Sequence, residues 1–350
     1  MGSGQAQPAI TNPPENRSGA HRNVHWRSPT VSRLTSTRPR CMTRFAFPDF
    51  EAYAEAIPSL QGRVKLASRE QRGWSMEVVD AGGLVLVGGQ SGAAAIYDGA
   101  YQAGVFGIYA PSAGSETTIN GQQVHDGMFA LLPPGVELHA RSRAPGHYFG
   151  LDVPQLEMWQ RMQREGIDLT TWDGKRPWVV QRPNAVVALA AATLDAVQRG
   201  GSPPPEAAGR GLRERLLQAV TDALAAPVPR ERSGQPVTRG RMVRRAIAVI
   251  DARIESGESL AGLPQILNVS QRSLNRAFVE SLGMSAQAYV GMTRLHAMRR
   301  ALRAARPGDT VTSLAARLNI WDCGRMAGEY LQLFGIGPSE ELHRALRTRS

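Results

Sequence analysis

Cysteine is nearly absent from this 350-residue chain: Cys41 and Cys323 are the only two. They lie in stretches of different character, so neither a disulfide framework nor a cysteine-based metal centre is implied. Lysine is as scarce, with Lys65 and Lys175 alone among 41 basic residues. No apolar run nears the ~18 residues that a membrane-crossing helix needs. The start has no uninterrupted apolar core of a secretory leader, and no glycine-rich phosphate loop or nucleophile elbow occurs anywhere. The expectation is a soluble protein of the cytoplasm with no membrane partner.

What is present is a core's worth of apolar residues, 42% of the chain, with 20% charged, which excludes wholesale disorder. The net charge of +11 is unevenly spread: +6 over residues 1–44, −3 over 45–235 and +8 over 236–350. A mildly acidic middle joined to a basic end is the charge pattern of a regulatory unit attached to one that meets a polyanion, nucleic acid first among them. Residues 1–44, rich in Arg, Ser, Thr and Pro, read as a disordered basic tail.

Over 45–153 short apolar runs such as Leu84 to Val87, Val105 to Tyr109 and Met128 to Leu132 are broken by Gly, Pro and Asn, the pattern of an all-β barrel or sandwich. Asn120-Gly121 signals a type I′ hairpin, Pro133-Pro134-Gly135 another reversal, and Asp49 caps a helix over about 49–57 that Pro58 stops. Over 154–226 the periodicity turns helical, in Ala185 to Val197 and in Leu212, Leu216, Val220 and Leu224. That stripe fits intramolecular core better than a homodimer seam, and both stay open. Residues 227–239 read as a linker.

Residues 240–350 read as all-helical. Ser270 caps a helix whose Leu274 and Phe278 face inward, Gly283 ends it, and Ser285 caps a long helix running to Pro307-Gly308. Leu260 to Leu267, the turn at Asn268-Val269 and Gln271 to Ser281 together form a helix-turn-helix. The pattern recurs from Val311 to Phe334, with Leu314-Ala315 answering Leu260-Ala261 and Asn319-Ile320 at the turn. One such match is a weak signal; two separated by a long helix are a strong one.

The residues that carry this pattern resemble the AraC/XylS family of bacterial transcription regulators over about 240–347. They are Val269-Ser270 with Leu274, Arg276 and Phe278; Gly283-Met284-Ser285 with Tyr289; Arg294-Leu295 with Met298-Arg299; and Phe334-Gly335 with Pro338-Ser339. The β-rich part is similar in layout to the cupin-like sensor half of such regulators. The implied fold class is α+β: an N-terminal cupin-like β-barrel sensor domain with a helical extension, then an all-α domain with two helix-turn-helix units joined by a long helix.

By the same resemblance the chain is an activator that contacts RNA polymerase and binds double-stranded DNA, with both units entering successive major-groove segments. A linker helix of ~30 Å is comparable to the ~34 Å repeat of the duplex. The positions matching the family's base readers in the first unit are Arg272, Asn275 and Arg276. Arg can bond guanine O6 and N7, and Asn adenine N6 and N7; phosphate contact is as good a role for each alone. Gln271 and Ser273 are secondary. In the second unit the matching face holds Trp321, Cys323, Gly324, Arg325 and Gly328, with Arg325 its one convincing polar reader. The chain departs from the family pattern at Asn319-Ile320, where Gly-Phe is usual, at Met326, where Phe is common, and at Pro264 inside the first short helix, where a missing N–H is harmless only within the first turn.

A cupin-like barrel can hold a catalytic metal, so a metal-dependent enzyme with a helical appendage is the alternative, with His125, His139 and His147 the only histidines of the β region. No His-x-His pair places two of them on one strand face, and three ligands must converge for an open site; neither metal nor cofactor is expected. A third reading is an interaction protein that has lost DNA affinity. The favoured role of the β part is to bind a small-molecule effector or to be held against the DNA-binding half; Trp74, Tyr97, Tyr101, Phe106, Tyr109 and Phe149 could line a cavity, although aromatics in such strands are more often core.

Overall fold

The structure, a computed structural model, describes residues 43–80, 83–112, 114–167, 176–180, 185–198, 206–225 and 237–348. The expected basic tail up to residue 42, Cys41 with it, and the expected linker up to residue 236 lie outside these.

The first part is antiparallel β throughout. Its strands are β1 (Thr43–Phe47), β2 (Leu60–Leu66), β3 (Trp74–Asp80), β4 (Val85–Ser91), β5 (Ala95–Tyr101), β6 (Val105–Pro111), β7 (Thr117–Ile119), β8 (Gln122–Val124), β9 (Phe129–Leu132), β10 (Glu137–Ser142) and β11 (Gly146–Pro154). Helix α1 (Phe50–Ala56) stands between β1 and β2, capped by Asp49, whose Oδ1 accepts from Ala52 N at 2.9 Å. Asn120 and Gly121 both take positive φ, 47° and 85°, and turn β7 into β8. Gly135, at φ 70°, closes the reversal before β10.

With a further short strand, β12 (Trp178–Val180), two sheets result, one of seven strands in the order β1-β3-β4-β11-β6-β9-β12 and one of five in the order β2-β5-β10-β7-β8. No backbone ladder joins them among the described residues, so the expected barrel is not closed. Closure needs one continuous hydrogen-bonded circuit, and here the sheets meet through side chains instead. Strand β12, which pairs with β9, escapes sequence reading because three residues carry no period.

Helices α2 (Gln155–Arg164), α3 (Ala185–Gln198) and α4 (Glu206–Ala225) cover the larger sheet. Leu216, Val220 and Leu224 of α4 pack with Leu86, Ile108 and Val186 in one cluster, with Leu212 against its rim. The apolar stripe is therefore covered by the chain's own sheet and helices.

The last part comprises α5 (Val237–Glu255), α6 (Leu263–Ile266), α7 (Gln271–Leu282), α8 (Ala286–Arg303), α9 (Val311–Arg317), α10 (Cys323–Phe334) and α11 (Pro338–Arg347). Each unit's second helix starts on a side-chain cap: Ser270 Oγ accepts from Ser273 N at 3.1 Å, and Asp322 Oδ1 from Arg325 N at 3.0 Å. Both end on a left-handed glycine, Gly283 at φ 61° and Gly335 at φ 72°.

Candidate nucleic-acid interface

The two helix-turn-helix units share one plan, the second carrying one more residue between its turn and its second helix. Their turns hinge on Asn268 at φ 55° and Asn319 at φ 57°, the left-handed conformation that asparagine tolerates without a Cβ penalty as large as other residues pay. The substitution of Asn319-Ile320 for Gly-Phe therefore leaves the turn intact. Gly335 follows Gly283 by 52 residues, and at that same spacing Met326, Tyr330 and Phe334 answer Leu274, Phe278 and Leu282 as the inward stripe. The asparagine turns register Leu263-Pro264, rather than Leu260-Ala261, against Leu314-Ala315. Helix α6 accordingly begins at Leu263, with Pro264 in its first turn, where its missing N–H costs no helical bond.

On the outward face of α7, Gln271, Arg272, Ser273 and Arg276 are exposed. Arg276 Nε donates to Glu280 Oε1, one turn on, at 2.7 Å. Ser273 Oγ accepts from Ser270 Oγ at 2.8 Å, which ties it to the cap. Asn275 is half-buried, and its Oδ1 accepts from Ala286 N at 3.3 Å at the start of α8. That bond ties Asn275 to the start of α8, while the residue still borders the exposed face beside Arg272 and Arg276.

On α10 the positions equivalent to Arg272, Asn275 and Arg276 are Gly324, Ala327 and Gly328. Arg325 is exposed, with Nε 3.3 Å from Glu329 Oε1. Cys323 is half-buried, and Trp321 is 78% exposed with Nε1 donating to Asn319 Oδ1. Sequence reading missed one matched pair: Val279 and Leu331 stand 52 residues apart and are 53% and 51% exposed. An apolar side chain left on an exposed helix face could pack on a thymine methyl group if that face met DNA bases.

The β part brings together a different set. A mostly apolar cavity of about 80 Å³ lies between the sheets, lined by Tyr97, Tyr101, Tyr109, Tyr148, Asp152 and aliphatic residues. Three of the expected aromatics are there. Trp74, Phe106 and Phe149 are not; Trp74 and Phe106 are core residues, and Phe149 packs toward the covering helices. Along β11 the period of two sends Tyr148, Gly150 and Asp152 inward and Phe149, Leu151 and Val153 outward, so Phe149 is one position out of phase. Tyr148 and Tyr101 reach the cavity because their rings lie over Gly89 and Gly107, where an added Cβ would meet them at 2.2 and 2.3 Å. His139 Nδ1 lies 2.5 Å from Asp98 Oδ1 on the neighbouring strand. No three His, Cys, Asp or Glu side chains converge as a metal set among the described residues.

Residues 263–344 match the family model of a helix-turn-helix domain, over the two units and the helix that joins them. The C-terminal third is an AraC-type helix-turn-helix domain. The chain is 35% identical over 102 residues to a probable thc operon regulatory protein of Rhodococcus erythropolis, 29% of this chain and 31% of that one; it spans about a third of that relative's length. Among solved structures it is similar to a probable AraC family transcriptional regulator from Rhodopseudomonas palustris, 29% identical, covering 30% of this chain and 98% of that one, with TM-score 0.28. It is also similar to the AraC-like transcriptional activator CuxR, 15% identical, covering 79% and 99%, with TM-score 0.39.

The AraC-type domain is fastened to the smaller sheet. In β2 and β5 the paired residues Lys65 and Ile96 face its helices, while the next pair, Val64 and Tyr97, faces the other sheet. Lys65 is 1% exposed; its Nζ donates to both carboxylate oxygens of Asp251 (2.8 and 2.9 Å) and to Tyr289 Oη (2.7 Å). Burial lowers the pKa of the Lys65 ammonium and raises that of Asp251, and the bond between them opposes both shifts. His296 Nε2 sits 3.1 Å from the Leu66 carbonyl oxygen, and its ring packs edge-on to Phe50 and Phe334. Burial pushes its pKa down to about 3. Glu51, pushed up to about 7 by burial against the pull of Arg299 and Arg303, closes the seam beside them. Both second helices touch the β part, α7 through Leu282, whose carbonyl accepts from Arg141, and α10 through Phe334 against Phe50. A lysine inside an apolar strand of an arginine-rich chain was the one sequence sign of this seam.

Proposed function

We propose that this chain is a sequence-specific, DNA-binding transcription regulator, an activator in the cytoplasm that contacts RNA polymerase and answers to a small-molecule effector, with no enzymatic activity of its own. The observation that carries the reading is the pair of matched helix-turn-helix units, each with a capped second helix whose outward face is exposed. In this reading Arg272 and Arg276 read bases, helped by Val279 and flanked by Gln271 and Ser273, and Asn275 holds α7 against α8.

The second unit, with glycine at two of three equivalent positions, contributes Arg325, Trp321 and Leu331, with Cys323 and Gly324 at the helix start. It supplies affinity more than discrimination. Effector binding in the β part is coupled to DNA binding through the smaller sheet, one wall of which is the cavity and the other the seam to α5 and α8. Among the described residues no helix is long and apolar enough to cross a membrane. A homodimer is compatible with this reading and not required by it.

Binding-site selection from random duplex DNA with the purified chain tests the proposal. A recovered consensus, with affinity falling steeply as salt rises because arginines release counterions from phosphates, supports it. Recovery of no consensus refutes it.

A further inference from the structure

The cavity between the sheets has an unusual inventory. The chain has seven tyrosines, and four of them, Tyr97, Tyr101, Tyr109 and Tyr148, line this one space. Tyr109 and Tyr148 are near-parallel, with ring centroids 5.5 Å apart and planes at 27°. Among the described residues the only charged side chain lining it is Asp152, 8% exposed, and no Lys, Arg or His does. The carboxylate oxygens of Asp152 accept from Tyr101 Oη and, at 2.5 Å, from Ser59 Oγ, and neither donor carries a compensating charge.

The tyrosine hydroxyls are largely engaged with protein. Tyr109 Oη bonds Thr117 Oγ1 at 2.8 Å, Tyr53 Oη donates to Tyr148 Oη at 2.7 Å, and Tyr101 Oη is held by Asp152. With three of the four lining hydroxyls so engaged, fewer groups are left to bond a polyol, while the ring faces remain.

We propose that this cavity binds a small organic cation, an alkylammonium group boxed by tyrosine rings with its charge matched by Asp152. This rests on the reading of the cavity as the effector site. Aromatic faces attract cations through their quadrupole, most strongly where water is excluded. An anionic ligand would set a second carboxylate beside Asp152 in a dry space. A hydrocarbon would leave the Asp152 carboxylate desolvated with no opposite charge beside it. Burial already raises the Asp152 pKa, so an arriving cation restores what desolvation takes from the ionised form. The size is that of a compact head group. At about 80 Å³ the space is roughly half that of a ~150 Å³ cavity that admits benzene, which limits it to a compact head group of about four heavy atoms such as trimethylammonium.

The test is calorimetric titration of the full chain with three probes of one shape and different charge: choline, 3,3-dimethylbutan-1-ol and 3,3-dimethylbutanoate. Choline is expected to bind at least about tenfold tighter than the alcohol, a difference of ~1.4 kcal/mol, and the acid not to bind. Asp152→Asn is expected to bring the choline-to-alcohol ratio near one. Tyr97→Leu, which keeps apolar volume and leaves the Asp152 bonds untouched, is expected to lower the ratio while the alcohol still binds. Preference for the alcohol or the acid overturns the cation class and leaves the effector reading standing. Choline bound with no change in DNA affinity supports the cation class and removes the effector role. No binding of any probe up to about 10 mM, a free energy weaker than ~3 kcal/mol, overturns both.

Discussion

Lys65→Met is the sharpest perturbation of the seam between the β part and the AraC-type domain. Methionine keeps the length and apolar stem of the side chain and deletes three donated bonds, two to Asp251 and one to Tyr289. Removing one partner of a buried ion pair costs ~3–5 kcal/mol, because the other charge stays desolvated. The Asp251 side chain keeps 16% of its exposure and its raised pKa lets it take up a proton, which places the loss at the lower end, about 3 kcal/mol. The assay is urea unfolding of the full chain, with hydrogen exchange of the amides of β2 and α8 to place the loss at the seam. The double variant Lys65→Met/Asp251→Leu is expected to recover most of it, since an apolar pair in place of a buried ionic one is often neutral or better. A single-variant loss under ~1 kcal/mol, the value of an exposed pair, or no recovery in the double variant, refutes the reasoning.

Three further outcomes are expected. Arg276→Ala should weaken binding at a selected site by ~1–3 kcal/mol and relax base preference there; an equal loss on every sequence assigns Arg276 to phosphate. His296 has a folded pKa of about 3 against an ordinary 6.5, so the unfolded chain binds a proton that the folded one refuses as pH falls between those values. Its contribution is complete above 6.5 and lost toward 3, at up to ~1.4 kcal/mol per pH unit. His296→Gln, which can still donate to Leu66, should therefore gain stability relative to the parent as pH drops from 7 to 5; parallel pH curves contradict this. Gly89→Ala meets the Tyr148 ring at 2.2 Å and should lower thermal stability by ~1–3 kcal/mol; an unchanged melting temperature denies that the ring lies there.

The helical third was legible because its punctuation is local. Ser270 and Ser285 as caps, Gly283 and Gly335 as stops and the spacing of Leu274 and Phe278 each act within a turn or two of themselves. The strands were legible as strands but not as a surface with two sides. Phase decides which residues face inward, and phase is fixed by pairing with distant strands; hence Phe149 was taken for Tyr148, and Asp152 went unnoticed. Closure of the barrel failed for the same reason, since no short stretch records whether two edges meet. Asn275 matched a reader's position, but its bond to Ala286 depends on how α8 leaves the turn. The seam was hidden almost entirely: Lys65 and Asp251 are 186 residues apart, and nothing near either one names the other.

The account depends most on two helix-turn-helix units docking in successive major-groove segments of one duplex face. Hydroxyl-radical and methylation footprinting of the full chain on its selected site measures this directly. Two protected major-groove segments centred about 10 base pairs apart on the same face, the second fading when Arg325 is replaced by alanine and the first when Arg276 is, is the predicted pattern. A single protected segment that only the Arg276 variant erases, or two on opposite faces of the duplex, contradicts it.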